Sequence, residues 1–455
     1  MSKISARETA LNLLLSISRD QSYSQLALNR SLSEEMIPER DKALVTTLVY
    51  GVLQRSLTLD YILSSFASGK RLDDWVRLLL QLSFYQKIYL DRIPDHAIVN
   101  EAVTIAGKRG HRGISGFVNA VLRRFLREGP PDFSSVKPES RRLSIIYSHP
   151  EWLLSLWESQ WDRETAIGIA DSDNRPPYTF VRVNRTEISR DELISRLEGE
   201  GINASKGNLS PDCLKIDSGH VASSQAFENG LMTVQDESSM LVADALDPRE
   251  GMAVLDACAG PGGKTTHIGE RMGNKGKIIA LDLHEHKTKL IDRYAERLGL
   301  SNIETRAMDA RRVDEVFGTE VFDRVLLDVP CSGLGVIRRK PEIRWGKTPE
   351  DIRQLIEVQV EILENASRVV RPGGWLVYST CTINRDENER QLTRFISRHP
   401  DFEWEPEFIT RFPDELKDCQ ISPDTSMIQI MPFQFGTDGF FIACLRKKMK
   451  TEQVH

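Results

Sequence analysis

VLDACAGPGGKTTHIGERMGNKGKIIALD, residues 254 to 282, decides the fold. An apolar run ends at Asp256, a turn of small residues follows, a helix-forming stretch crosses back, and a second apolar run ends at Asp282. Strand, helix and strand in that order form the repeating unit of a parallel sheet. The pattern continues through IETRAMDA, FDRVLLDVP, a helix from about Pro349 to Val370, WLVYSTC, and a helix from about Asp386 to His399. Apolar runs separated by helices predict a doubly wound α/β sheet covered on both faces. Such a sheet binds its ligand at the carboxyl ends of its strands.

The turn after the first strand runs Cys258-Ala259-Gly260-Pro261-Gly262-Gly263-Lys264. Its small residues let a ligand approach the backbone, and it opens a helix whose N-terminal N–H groups attract acceptors. It is not a phosphate loop. Counted back from Gly263-Lys264-Thr265, the P-loop pattern needs a glycine where Cys258 stands, and the dinucleotide fingerprint from Gly260 needs one at Thr265. Asp282 ends the second strand, where an acid accepts hydrogen bonds from a ribose diol, and Asp309 ends the third, within reach of an adenine amino group. An acid favoured by a helix dipole, or an exposed loop acid, has the same appearance in sequence. A glycine-rich turn without a diphosphate signature, followed by these acids, suits a nucleoside lacking phosphates. S-adenosylmethionine is such a ligand.

Two further strand ends carry thiols, in Asp328-Val329-Pro330-Cys331 and Tyr378-Ser379-Thr380-Cys381. Strands joined by one helical crossover are neighbours in about two-thirds of cases, so both thiols are expected on one rim beside the cofactor pocket. A single cysteine is a common core residue with no task. Two at matching strand ends, one behind an Asp-x-Pro, point to chemistry, and Cys331 by itself has the look of a nucleophile. All six cysteines lack C-x-x-C pairs and zinc-type spacings, so free thiols in a reducing compartment and no metal site are expected.

The 455 residues are 40% hydrophobic and 28% charged, the balance of a soluble globular protein, with no run long enough for a membrane span; a cytoplasmic address is expected. The net charge of -6 hides a basic front end, since residues 1–150 hold 21 Lys and Arg against 15 Asp and Glu. That end has helical periodicity throughout. Ser5-Ala6-Arg7-Glu8 fits a capping box, and Ala10, Leu13, Leu14 and Ile17 share one face. The stretch 106–127 carries six Lys and Arg, Arg123 and Arg124 among them, and no acid, which favours contact with nucleic acid over a merely solvated face. Gly129-Pro130-Pro131 starts a linker, a second helical stretch spans about 152–170, and YTFVRVN, DELISRLEGEG and CLKID then mark a small α/β insert. Three regions follow: an all-helical domain at 1–145, a linker helix with the insert at 146–234, and the doubly wound domain at 235–450.

DACAGPGGKT, LLDVPCSGLGVIRRKPEIRW, YSTCTINRDENE and DGFFIACLRK together resemble the RNA cytosine-5 methyltransferases of the RsmB/NOP family. VYGVLQR and VNAVLRRFLR, within the basic front end, resemble the NusB-like RNA-binding domain of its bacterial Sun/Fmu branch. The resemblance covers nearly the whole chain. It implies a Rossmann-like catalytic domain that methylates one cytosine of 16S ribosomal RNA, conventionally C967, with S-adenosylmethionine as donor. It reverses the order of the thiols. Cys381 matches the nucleophile that adds to carbon 6 of the base, and Cys331 matches the thiol that assists release, whereas DNA cytosine-5 methyltransferases attack with the Pro-Cys thiol. Asp328 carries over as a contact to cofactor and cytosine, with Lys264 beside it. Arg338, Arg339, Lys340 and Arg344, with Trp345, are candidates for an RNA clamp. Gly260 stands where alanine is usual and Thr382 where serine is usual, and tuning is expected from both. Action on another RNA or on DNA is one alternative; a non-catalytic RNA-binding or antitermination factor is another. A monomer is expected.

Overall fold

In a computed structural model, residues 5–20, 39–67 and 71–450 are described. They pack as two compact units, one of residues 1–176 with 337–346, the other of 177–336 with 347–455.

The first unit is helical among its described residues. Helices Ala6–Asp20, Glu39–Gln54, Ser56–Phe66, Asp74–Tyr89, Asp95–Arg109 and Arg112–Glu128 surround one core, followed by Glu139–Tyr147, Glu151–Gln160 and Arg163–Ser172. Asp74–Tyr89 is apolar on most sides and buries Leu78, Leu79, Leu80, Leu82 and Phe84, which makes it the central helix. Phe84 meets Phe125 at 4.4 Å between ring centroids, and Phe66 closes edge-on against Phe125 at 5.5 Å. The front helix buries Ala10, Leu13, Leu14 and Ile17 as its periodicity requires. Arg55 separates two helices where the sequence shows one continuous pattern. On Arg112–Glu128, Val118, Val121, Leu122 and Phe125 face inward, and Arg123 and Arg124 remain exposed.

Residues 337–346 belong to this unit through Arg344. Its guanidinium is fully buried and donates to the carbonyls of Gln54 (2.6 Å), Ser148 (3.1 Å) and Asp173 (2.8 Å) and to Asn174 Oδ1 (3.0 Å). The expectation that Arg344 clamps RNA phosphate is therefore corrected. A guanidinium whose two terminal nitrogens already meet four oxygens in a dry interior is a structural tie. Arg338 is buried in the same segment. Arg339 is half-buried, while Lys340 and Trp345 are exposed.

The second unit contains two sheets. Strands β1 (Thr179–Val183), β2 (Asn203–Lys206), β3 (Cys213–Ser218) and β4 (Met232–Val234) form an antiparallel sheet in the order β2-β3-β1-β4. Helix Arg190–Gly199, started by a Ser189/Glu192 capping box, lays Leu193 and Leu197 on it.

The larger sheet comprises β5 (Ala253–Asp256), β6 (Lys277–Asp282), β7 (Ile303–Ala307), β8 (Phe322–Asp328), β9 (Val370–Thr380), β10 (Phe402–Trp404), β11 (Met427–Ile430) and β12 (Phe440–Lys447). Its order is β10-β12-β9-β8-β5-β6-β7, with β11 also on β12. The run β7-β6-β5-β8-β9 is parallel, as the alternating strand and helix pattern predicts, and β12 joins β9 antiparallel. The sheet is thus mixed, because 400–447 supplies strands without helical crossovers. The strand order reverses between β5 and β8, so the ends of β5, β6, β8 and β9 converge at the switch point.

Candidate functional site

Asp256, Asp282 and Asp328 are the last residues of β5, β6 and β8, and Cys381 follows β9 directly. β8 pairs with β9 in a register that sets Asp328 beside Ser379. The sequence expectation of both thiols on one rim holds: Cys331 Sγ and Cys381 Sγ lie 3.4 Å apart.

The loop between β5 and its helix is pressed onto β6. Ala259 N donates to Leu281 O at 2.7 Å, Gly262 N donates to Ala259 O at 2.7 Å, and Gly260 N donates to Asp282 Oδ2 at 3.2 Å. Gly262 has φ 110° and its α-carbon faces the Ile291 backbone, where a Cβ would come within 3.1 Å. At Gly260, a Cβ would stand 2.3 Å from Asp282 Oδ2 and 2.7 Å from Lys287 Cδ. An alanine here would therefore require Asp282 and Lys287 to move.

A cavity of about 430 Å³ opens beside this loop, lined by Cys258, Asp282, Asp309, Asp328, Cys331 and Cys381, with Met308, Val358 and Ile362 as an apolar wall. Its size is that of a nucleoside-scale site. Asp282 also accepts from His284 N at 2.9 Å, leaving its carboxylate aimed at the cavity rim. Asp309 accepts from Arg311 N at 3.0 Å and from the Arg311 guanidinium, which holds its carboxyl below the ordinary range. Asp256 lies deeper. Burial pushes its carboxyl up to about 7, Thr265 Oγ1 donates to its Oδ2 at 2.7 Å, and its Oδ1 has no partner.

Lys264 Nζ reaches Asp328 Oδ2 at 2.8 Å, and Ser379 Oγ donates to Asp328 Oδ1 at 2.9 Å. Burial alone would lower the Lys264 ammonium, but the charges of Asp328 and Cys381 outweigh it and raise it. A positive charge therefore persists beside Cys381. Cys331 differs. Its hydrogen bond with Cys381, burial, and the charges of Glu387 and Asp328 all push its thiol well above the usual range, so it stays protonated at neutral pH. Burial, with the nearby carboxylates, also raises the Cys258 thiol in the loop. The two thiols thus share a contact beside a lysine ammonium, and ionisation of Cys331 is disfavoured.

Two residues of this region are absent from the sequence reading. Glu387 is fully buried behind the thiols, yet in the run Asp386-Glu387-Asn388-Glu389 it has the appearance of a helix-start acid. Arg182 in β1 is also fully buried, and it donates to Glu270 at 2.7 and 2.9 Å, to Gly263 O at 2.6 Å, to Thr266 Oγ1 at 3.0 Å and to Gln235. An alternating strand gives no sign that one of its arginines points inward.

Three family models match along the chain. Residues 243–446 match the family model of the 16S rRNA methyltransferase RsmB/F, 4–127 match the NusB family, and 149–222 match the ferredoxin-like domain of RsmF/B-like methyltransferases. The chain is 46% identical over 449 residues to the probable ribosomal RNA small subunit methyltransferase B of Bacillus subtilis (strain 168), covering 98% of this chain and 100% of that one. It is 37% identical, with the same coverage, to the protein of that name from Synechocystis. Among solved structures, PH0851 superposes with a TM-score of 0.80 at 27% identity, over 98% of this chain and 99% of that one. With thiols, acids and cofactor loop gathered at one switch point and a relative this close along its whole length, the chain belongs to the RsmB/F family of 16S rRNA methyltransferases.

Proposed function

We propose that this protein methylates carbon 5 of a cytosine in 16S ribosomal RNA, at the position conventionally numbered C967, through a covalent adduct with Cys381. The observation that carries the reading is the pair of thiols 3.4 Å apart at the mouth of the Asp282–Asp328 cavity. The cavity suits S-adenosylmethionine by its donor set. Carboxylates of Asp282, Asp309 and Asp328 line it, which disfavours phosphates and favours a cationic nucleoside rich in N–H and O–H donors. Loop residues 258–264 and Asp282 would hold the ribose end, Asp309 the adenine, and Asp328 the side facing the thiols. Bound there, the cofactor supplies an electrophilic methyl group.

The chain's own residues do the rest. Cytosine carbon 5 is a poor nucleophile until a thiolate adds to carbon 6. Lys264 keeps a positive charge beside Cys381, so its thiolate is the one that adds. Asp328, fixed by Lys264 and Ser379, faces the base edge and stabilises the enamine through N3. After methylation the carbon 5 proton must leave and the S–C6 bond must break. Cys331 donates its proton to the departing Cys381 sulfur, the Cys331 thiolate so formed takes the carbon 5 proton, and Cys381 then gives up the net proton of the reaction to solvent, which restores both groups. The target base must be unstacked to enter.

In this reading residues 1–145 are the NusB-like RNA-binding domain, 146–234 the RNA-binding insert and 235–450 the catalytic domain of a cytoplasmic monomer. Arg123, Arg124, Arg339 and Lys340 contact the RNA backbone, with free or assembling 16S RNA as partner. Cys381→Ala should abolish tritium transfer from S-adenosylmethionine to a 16S transcript, and Cys331→Ala should accumulate a protein–RNA adduct stable to denaturing electrophoresis. Activity in Cys381→Ala, or a preference for duplex DNA over the transcript, would sink the proposal. Bisulfite sequencing of ribosomal RNA from cells lacking the protein tests the position.

A further inference from the structure

Behind the two thiols, one carboxylate gathers the segments that carry them. Glu387 Oε2 accepts from Ser332 N at 2.8 Å and from Gln359 Nε2 at 3.1 Å. Its Oε1 accepts from Ser332 Oγ at 2.5 Å, Asn384 Nδ2 at 3.1 Å and Thr382 Oγ1 at 3.3 Å. Ser332 follows Cys331 and Thr382 follows Cys381, and their hydroxyl oxygens lie 2.8 Å apart. Gln359 Nε2 also donates to Pro330 O at 2.9 Å, on the other side of Cys331. Glu387, Gln359, Ser332, Thr382 and Asn384 are all buried to within 1% exposure.

A buried carboxylate is costly unless donors surround it, and this one has five. Adjacent strands alone leave the loops after them free to diverge. We propose that Glu387 is the positioning residue that holds Cys331 and Cys381 at reacting distance, by tying the residue after each thiol to a single carboxylate. The assignment rests on the reading above that these two thiols react. Glu387 touches neither base nor methyl donor; it acts through Ser332 and Thr382. Its charge has a second effect in the same direction, since it opposes ionisation of Cys331 and so keeps the proton on the releasing thiol.

Phenylarsine oxide tests the spacing without any RNA. Its arsenic takes up two thiols, two S–As bonds replacing two S–H bonds and the arsenic–oxygen bond as water leaves, and it binds tightly only where the sulfurs are close. Wild type should capture it across Cys331 and Cys381, identified by mass spectrometry of the linked peptides. Glu387→Gln, which turns an amide toward donors, should weaken capture at least tenfold and lower the pH at which iodoacetamide alkylates Cys331. Thr382→Ala should weaken capture at least threefold, with Thr382→Ser restoring it. A folded Glu387→Gln protein that captures the arsenical within twofold of wild type overturns the proposal. If that variant does not fold, unchanged capture by Thr382→Ala overturns it instead. Wild type that captures the arsenical but methylates no 16S transcript sinks the functional reading and leaves this one standing.

Discussion

The two thiols are chemically alike and differ only in their neighbours. Cys381 has the Lys264 ammonium near it; Cys331 has burial, a sulfur partner and two carboxylates around it. Replacing Lys264 by Met removes the cation and leaves Asp328 with Ser379 as its partner. Adduct formation in Lys264→Met should fall by about 10- to 100-fold, equivalent to about 1.4–3 kcal/mol, and iodoacetamide labelling of Cys381 should move to higher pH. Unchanged labelling in the variant would show that Lys264 serves only the cofactor loop. From residues alone, the Pro-Cys motif favours Cys331 as attacker, whereas the proposal gives the attack to Cys381, because a proline displays a cysteine without saying what charge stands beside it. The placement of Lys264 and Glu387 supplies a physical reason for the proposed attack by Cys381.

At the scale of elements, the parallel half of the sheet was legible because each apolar run is punctuated by an acid or a glycine turn and followed by a helical period. The antiparallel edge was not. β10, β11 and β12 are joined by loops and short 3₁₀ turns, and an apolar stretch such as FFIACLRK has no period that gives its direction. Equally hidden was the tie from β1 to the helix that follows the glycine-rich loop, made by Arg182 on Glu270, Thr266 and Gly263 O. Removing one partner of a buried ion pair leaves the other charge uncompensated, at a cost of about 3–5 kcal/mol. Arg182→Met should lose about that much stability in urea titrations and bind S-adenosylmethionine more weakly, since Gly263 loses its anchor. Adding Glu270→Leu should recover much of the stability, because the stranded carboxylate goes with it.

For the molecule as a whole, buried histidines make one contribution to the response to acid. His267 Nε2 meets Asp212 Oδ2 at 2.9 Å, its Nδ1 has no partner, and burial holds its pKa down at about 3. His149, paired with Asp173 in the helical unit, is likewise pushed well below its ordinary value by burial. An unfolded histidine takes up a proton near pH 6.5 while the native one does not, so these groups leave stability intact above pH 6.5 and erode it as pH falls toward the native value. Asp256, and Asp173 beside His149, work in the opposite sense between about pH 4 and 7, because burial makes their native carboxyls bind a proton first. Comparing variant with wild type cancels such shared terms. Between pH 7 and pH 5, His267→Gln should lose about 2 kcal/mol less stability than wild type in parallel urea titrations. An equal loss in both would place the His267 ring in its charged form.

The three-region order of the chain was legible from its changes of period, yet one decapeptide defeats any linear division. Residues 337–346 lie between β8 and β9 in sequence and pack with 1–176. Exchange of gene segments among relatives must therefore carry a hidden coupling. A front end swapped at residue 176 arrives with carbonyls at Gln54, Ser148 and Asp173 shaped for a guanidinium that the recipient's catalytic half has to supply. Chimaeras whose donors differ at the position of Arg344 should inherit an unfilled socket, so the front end and the catalytic half of such proteins are expected to descend together.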